Sequence, residues 1–484
     1  MQVHGLHSTS LAATLLVVLH CANYAPAQSA PVSSDRPWHS PAERNIEADL
    51  RDIPDSRFTI DSAKTYSLPG LIDIAEAHNP ATRDSWERAR AQAAALGVAR
   101  SELFPILGAV ALSETGRQQV LFGDRFNGQV LQTLQMELDL NYTLFDFGAR
   151  TGRINAAKAQ LLGADFAFND THRQVIYQVQ QAYYRLLSSM GQEDAARASL
   201  SNAHAVQLAV EQRLAHGLAT QPDVLEARSA TAQAEYDLQA ILGAEEIARG
   251  DLATALGAPA TTMIQIESPD QIPSRESIGD TVDQAINRAL QQRPDLMQQV
   301  AEIRSENARV QEARAAYYPA LTLNVIPAIP LLYGLQSPYP WSHTAGLVGE
   351  LRFDLQWTVF DGGARKNRVT QAQADVHAGE ARVNVKRNQI ADQVWFAYSN
   401  LNTAFRQRQS AVALLQASSL SYNAALQSYG YGVRNLLDVT AAQRTLAQAR
   451  AADVSARTQV LTSFADLAFT TGDSIRTNNA RPRP

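Results

Sequence analysis

Cysteine is nearly absent: the single one, Cys21, falls within the first 30 of 484 residues. If that segment is removed on export, the remaining chain can form no disulfide, no thiolate metal site and no thiolate nucleophile, and packing must supply its stability. Methionine is scarce as well, five residues scattered along the chain, which leaves no soft-metal relay. Neither sign of charge prevails, since 42 basic and 48 acidic residues in no long single-sign block leave a formal charge of −6. Nucleic acid therefore finds no basic footprint. No apolar run after the N-terminus approaches the ~18 residues that a membrane-spanning helix requires. There is no P-loop, no G-x-S-x-G and no H-E-x-x-H, and the ten histidines are dispersed, so no enzyme activity, cofactor or resident metal is expected.

What is present begins with a leader. Leu11 to Leu19 form an apolar core, and Ala25-Pro26-Ala27 supplies small residues for cleavage before Gln28, so residues 1–27 read as a secretory signal. The stretch before that core has neither Lys nor Arg. His20 stands where a lipid-attachment box requires a small residue before its cysteine, which argues against lipidation of Cys21. Residues 28–64 read as an N-terminal extension.

The rest is one plan written twice. Asn79-Pro80 and Phe104-Pro105 are echoed by Arg293-Pro294 and Tyr318-Pro319, an offset of 214. One inserted residue then makes the offset 215, at which Phe145-Asp146 meets Phe360-Asp361, Gly148-Ala149-Arg150 meets Gly363-Ala364-Arg365, and Gly217 meets Gly432. Ordered landmarks at a fixed offset indicate a tandem duplication, with copies at 65–270 and 271–472 and a tail at 473–484. Each copy opens with a helix that ends at its proline (105 or 319), because proline cannot continue one. Two extended stretches follow, about 106–113 and 131–144 in the first copy, about 321–332 and 347–359 in the second. Helical periodicity then runs from about 149 to 215 and from about 364 to 430, each a rod of about 100 Å at 1.5 Å per residue. Their apolar positions form a narrow seam, Val175, Val179, Ala182 and Leu186, then Ile390, Val394, Ala397 and Leu401, which suits side-by-side helix packing.

The extended stretches alternate strictly. Leu134, Met136, Leu138, Leu140, Tyr142 and Leu144 are apolar, with Gln135, Glu137, Asp139, Asn141 and Thr143 between them. Leu351, Phe353, Leu355, Trp357 and Val359 alternate in the same way with Arg352, Asp354, Gln356 and Thr358. Period two places the two sets on opposite faces. A one-face-buried soluble sheet also alternates. Three features favour a transmembrane barrel: runs of about 11 residues match a tilted membrane-crossing strand, Tyr142 and Trp357 stand where an aromatic girdle would lie, and no second sheet is on offer to cover the apolar face. Leu138, Leu140, Tyr142, Phe353, Leu355 and Trp357 are then candidates to face outer-membrane lipid. Four strands cannot close, and an open edge in hydrocarbon leaves backbone groups unpaired at several kcal/mol each, so several copies must complete the barrel. Two give eight strands with a filled interior, and three give twelve, enough for a lumen.

LFDFGAR, VFDGGAR and the two Gly/Asp turns make residues 65–472 resemble the outer-membrane factor (TolC-like) family of channel-tunnels. The resemblance implies a fold that is mainly α with β, a tandem-duplicated long α-hairpin barrel joined to a transmembrane β-barrel of four strands per chain, closed as a homotrimer. It implies an exit duct of a tripartite efflux or type I secretion system in the Gram-negative outer membrane, extending into the periplasm. Its partners would be a periplasmic adaptor and an inner-membrane pump of RND or ABC type. HGLATQPDVLEA (216–227) and YGVRNLLDVTAA (431–442) resemble the tips that meet the adaptor and form the inner aperture. Gly217, Leu218, Thr220, Gly432 and Val433 become candidates for adaptor contact. Tyr429, Arg434 and Asp438, with Asp223 facing them from the first copy, match the positions of the aperture network. Ala441 stands where some relatives carry a second aspartate, which leaves one carboxylate per subunit for an acidic ring. The plainer alternatives are that the glycines and caps only turn the chain and that Arg434 and Asp438 form a solvated pair. For the whole chain the rival is an exported coiled-coil scaffold or adhesin without transport activity.

Overall fold

The computed structural model describes residues 60–268, 281–336 and 340–473, together with 46, 49, 50, 58 and 273. The chain forms two units, residues 1–56 and 57–484. Of the first, Ile46, Asp49 and Leu50 are described, all helical and exposed. The expected signal segment, most of the extension and the tail after Asp473 lie outside the described residues. All further elements belong to the second unit.

Its first copy runs β1 (Thr65–Tyr66), α1 (Leu68–His78), α2 (Pro80–Ser101), β2 (Ile106–Phe122), β3 (Arg125–Phe145), α3 (Ala149–Ala215), α4 (Gln221–Ala255) and β4 (Gln265–Ile266). The second runs α5 (Val282–Gln292), α6 (Pro294–Ala315), β5 (Ala320–Gln336), β6 (Ser342–Ala345), β7 (Val348–Gln356), α7 (Ala364–Gly430) and α8 (Leu436–Thr471). Fold class is mainly α with β. The rods α3 and α7 are 67 residues each, and each has shorter helices for neighbours: α2 and α4 lie along α3, while α6 and α8 lie along α7. The copies are joined because α6 and α8 also pack on α3. The narrow apolar seams are buried in these contacts, with Val179 and Leu186 of α3, and Ile390, Val394 and Leu401 of α7, fully inaccessible. Small residues bring the axes close. At Gly152 an added Cβ would lie 2.8 Å from the Glu312 backbone nitrogen and 2.9 Å from the Ala308 carbonyl oxygen, so α3 and α6 touch there backbone to backbone.

The sheet has five strands in an antiparallel meander, β2 on β3 and β3 on β5, with β6 and β7 lying one after the other along the same edge of β5, so that the two together fill the fourth row the sequence leads one to expect. Its strands outrun the sequence reading. β2 and β3 occupy 106–122 and 125–145 in place of about 106–113 and 131–144, and β5 occupies 320–336 in place of about 321–332. Apolar residues thin out beyond the expected ends, but pairing continues through polar residues to Phe122↔Arg125 at a turn where Gly123 has φ +66°. The stretch expected at 347–359 ends early, at Gln356, and a separate strand precedes it at 342–345. Gln356 pairs with Ala320, the first residue of β5 after Pro319, so Trp357 has no strand opposite it. Its indole instead donates to the Tyr317 carbonyl at 3.1 Å.

Each sheet passes into its rod through the same corner. The Asp146 carboxylate accepts the Gly148 N–H at 3.3 Å and the Arg150 N–H at 2.7 Å, and the Arg150 guanidinium returns to Asp146 at 3.2 Å and to the Leu144 carbonyl at 3.4 Å. Asp361, Gly363, Arg365 and Val359 repeat this at 3.1, 2.9, 2.8 and 3.1 Å. Gly148 and Gly363 take the left-handed conformation at φ +96° and +88°. The residue before each is left-handed too, Gly362 in one copy but Phe147 in the other, at φ +51°. An L-residue with a Cβ costs about 1–2 kcal/mol there; the Phe147 ring stacks on Tyr318 at 4.9 Å and meets Phe145 edge-on at 4.7 Å, which offsets part of that cost.

Candidate functional site at the helical tips and the sheet

At the tips, both rods end on a left-handed glycine. Gly217 (φ +71°) closes α3 with Leu218 N–H donating to Arg213 O at 2.8 Å, and Gly432 (φ +75°) closes α7 with Val433 N–H donating to Ser428 O at 2.9 Å. These bonds satisfy carbonyls that a helix end leaves open. The return helices start on Thr220 and Asn435. Asp223 accepts the Thr220 N–H at 2.8 Å and its hydroxyl at 2.7 Å, while Asn435 accepts the Asp438 N–H at 2.9 Å. The Thr220 bonds hold the Asp223 carboxyl below the usual carboxylate range.

Behind the turns lies an apolar cluster drawn from all four tip helices: Val206, Val210, Val224, Tyr429, Leu436 and Val439 among its buried members. Tyr429 is buried; that burial raises its phenol pKa, with Asp223 adding to the rise and Arg213 opposing it. Asp223 and Tyr429, one from each copy, are thus brought near each other. Arg434 is exposed and its side chain has no partner among the described residues, and Asp438 is half-buried at the start of α8. The four aperture candidates are therefore gathered at one end of the molecule, but no Arg434–Asp438 bond joins them within the chain. Leu218 and Val433 project from the turns, 67% and 78% exposed.

One residue here escaped the sequence reading. Arg213 Nη1 donates to the carbonyls of Tyr429 and Gly430, each at 3.1 Å, and its guanidinium lies 4.7 Å from the centre of the Tyr429 ring. Its only local signal was a basic side chain in the last turn of a helix; the partners are more than 200 residues away.

On the sheet, the usual relation between polarity and burial is reversed. Leu134, Met136 and Leu138 are exposed, Met136 by 61%, while Gln135, Glu137 and Asp139 between them are half-buried. Phe353 and Leu355 are exposed on β7, as is Trp357 just beyond it, while Leu140 and Tyr142 are half-buried on β3. The apolar band continues across strands, with Leu140 opposite Leu107 and Val325, and Phe353 opposite Leu323. On the other face the Asn141 amide donates to Asn324 at 2.7 Å and the Asn324 amide to Asp354 at 2.6 Å, a polar line across three strands.

The model of the outer membrane efflux protein family matches residues 71–258 and 285–473, which is most of the chain and both copies. The chain belongs to that family. This efflux protein is 28% identical to protein CyaE of Bordetella pertussis over 419 residues, 85% of either chain. It is 25% identical to outer membrane protein OprJ of Pseudomonas aeruginosa over 446 residues, 91% of this chain and 89% of that one. Among solved structures, the outer-membrane channel OprN superposes with a TM-score of 0.74 at 21% identity, covering 84% of this chain and 89% of that chain. The exposed apolar band thus belongs to an outer-membrane protein. Among the described residues no helix is long and apolar enough to cross a membrane.

Proposed function

We propose that this efflux protein is the passive exit duct of a tripartite efflux or type I secretion system, built as a homotrimer. The observation that carries the reading is the sheet itself, four rows wide: apolar outward, polar inward, and open at both edges, with β2 paired to β3 alone and β6 and β7 to β5 alone among the described residues. Open edges in hydrocarbon are prohibitive. Pairing β2 of one copy with β7 of the next in a ring of three yields twelve strands, with Asn141, Asn324 and Asp354 turned to a wet lumen. The rods carry that lumen about 100 Å into the periplasm to the turns at 216–223 and 431–438.

There the adaptor's tips meet Leu218 and Val433 with the backbone of Gly217 and Gly432 beside Thr220, and Tyr429, Arg434, Asp438 and Asp223 line the aperture. An inner-membrane pump of RND or ABC type supplies the energy, and cargo passes without chemistry on this chain. Arg434, whose side chain has no partner among the described residues, is available to bond across to a neighbouring copy. Membership of an efflux family favours the duct over an exported scaffold or adhesin.

The test is the mass and conductance of the purified protein. Detergent-solubilised material of trimer mass that forms steady pores in planar bilayers is expected, with Arg434→Ala raising the closed-state conductance. A monomer soluble without detergent and silent in bilayers would sink the reading.

A further inference from the structure

Arg213 occupies a position that none of the aperture candidates shares. Its backbone carbonyl accepts the Leu218 N–H at 2.8 Å and so closes the turn of the first copy. Its guanidinium donates to the Tyr429 and Gly430 carbonyls at 3.1 Å each, the last turn of the second copy's rod, and packs over the Tyr429 ring. One residue therefore holds both turns, through two different groups. The contact is also one-sided: at the offset of 215 the second copy has Ser428, whose side chain is too short to return the same bonds. Arg213 thus ties the end of α7 to α3 through a charged side chain.

Two features suit it to a latch rather than to a fixed strut. Both carbonyl bonds come from the same nitrogen, and Nε is buried without a partner, so the guanidinium uses only part of its donor capacity. Its acceptors are the last carbonyls of a helix, that of Tyr429 shared with the Gly432 N–H at 3.0 Å, where a cation is favoured by the helix dipole and the bonds are charge-assisted. They can be released without breaking any bond inside either rod.

We propose that Arg213 is the positioning residue that couples the two tip turns of each subunit, holding the α7–α8 turn against α3 in the closed aperture and letting it swing when the two carbonyls are released. The proposal rests on the reading of this end as the aperture, and it assigns the intrasubunit half of the closure to a side chain of the first copy. Tyr429 acts through its ring and carbonyl together, as the surface on which the latch sits.

The experiment is hydrogen exchange and bilayer conductance on the intact purified protein, in native, Arg213→Ala and Arg213→Lys forms. Every substitution keeps the backbone carbonyl, so the first turn retains its closing bond. In Arg213→Ala, amides of residues 431–436 are expected to exchange about tenfold faster, as loss of a charge-assisted bond to a locally opening segment implies, with the strands and residues 217–223 unchanged. Closed-state conductance should rise. Arg213→Lys, whose single ammonium can serve both carbonyls, should restore slow exchange and the closed state. Unchanged exchange in Arg213→Ala would overturn the latch itself. Faster exchange with unchanged conductance would overturn the aperture reading beneath it. Failure of Arg213→Ala to assemble, with Arg213→Lys loosened at both turns, would make the residue a strut and overturn the coupling.

Discussion

Leu140 of the first copy lies opposite Val325 of the second in the β3–β5 ladder, near the middle of an apolar band that runs from Leu134 to Leu144. Asp139, one residue away, points to the polar face. If this face meets lipid as proposed, Leu140→Arg places a charge near the hydrocarbon midplane and is expected to destabilise the assembled barrel by roughly 2–4 kcal/mol. Asp139→Arg should leave assembly intact and change ion selectivity. Thermal dissociation of the oligomer on gels reads the first and reversal potentials in bilayers the second; equal loss of oligomer in both variants would refute the assignment of faces.

The corner aspartates cap the rods and hold an arginine that is largely buried, Arg150 at 13% and Arg365 at 12% side-chain exposure. Asp146→Ala or Asp361→Ala is expected to lower stability by about 1–2 kcal/mol from the lost cap alone, with the stranded guanidinium adding to it. Asn at either position keeps the acceptor and should recover much of the loss. Gly362→Ala meets nothing within 4 Å but must adopt φ +63°, so its cost, about 1–2 kcal/mol, is backbone strain. Calorimetry of the detergent-solubilised variants ranks them.

Gly152 and Gly97 are both helical, yet opposite outcomes are expected on substitution. An alanine at 152 collides with the Glu312 and Ala308 backbone and should cost about 1–3 kcal/mol by forcing α3 from α6. An alanine at 97 meets open space and should add about 0.5–1 kcal/mol of stability by reducing the freedom of the unfolded chain. The difference in melting temperature between the two variants checks this directly.

Where the copies meet near the base of α6, Asp295 is bonded to Arg293 at 2.7 Å and to Lys386 at 2.9 Å. Burial would raise its pKa, but these two partners outweigh that and hold its carboxyl well below the usual range. A depressed acid contributes stability that is complete above its unfolded pKa, about 3.9, and is lost as pH falls through the folded value. Neutral to mildly acid solutions should therefore leave this contribution unchanged. Lys386→Met removes one of the partners, so the acid edge of unfolding is expected to move to higher pH; circular dichroism during acid titration measures it.

Much of the molecule was legible because its signals are local. Alternation from Leu134 to Leu144 marks a strand with two unlike faces, the seams around Val179 and Val394 mark the rods, and Gly217, Thr220, Gly432 and Asn435 mark the turns with chemistry contained in a few residues. The ends of the strands were not legible in the same way. β2 continues to Phe122 because a partner strand lies beside it, and β7 stops at Gln356 because Pro319 ends the partner; neither reason is visible in the segment itself. Phe147 gave no sign that it would accept a left-handed backbone, since the rings that compensate it include Tyr318 from the other copy.

By itself the sequence determined the duplication, the period of each element, the corners and the caps, because helix and strand periodicity and capping are set by neighbours along the chain. Tertiary structure alone decided which strand of one copy pairs with which of the other, and that Arg213 reaches the turn beside Tyr429. Those are contacts between residues far apart in sequence, chosen by the packing of two whole hairpins against each other.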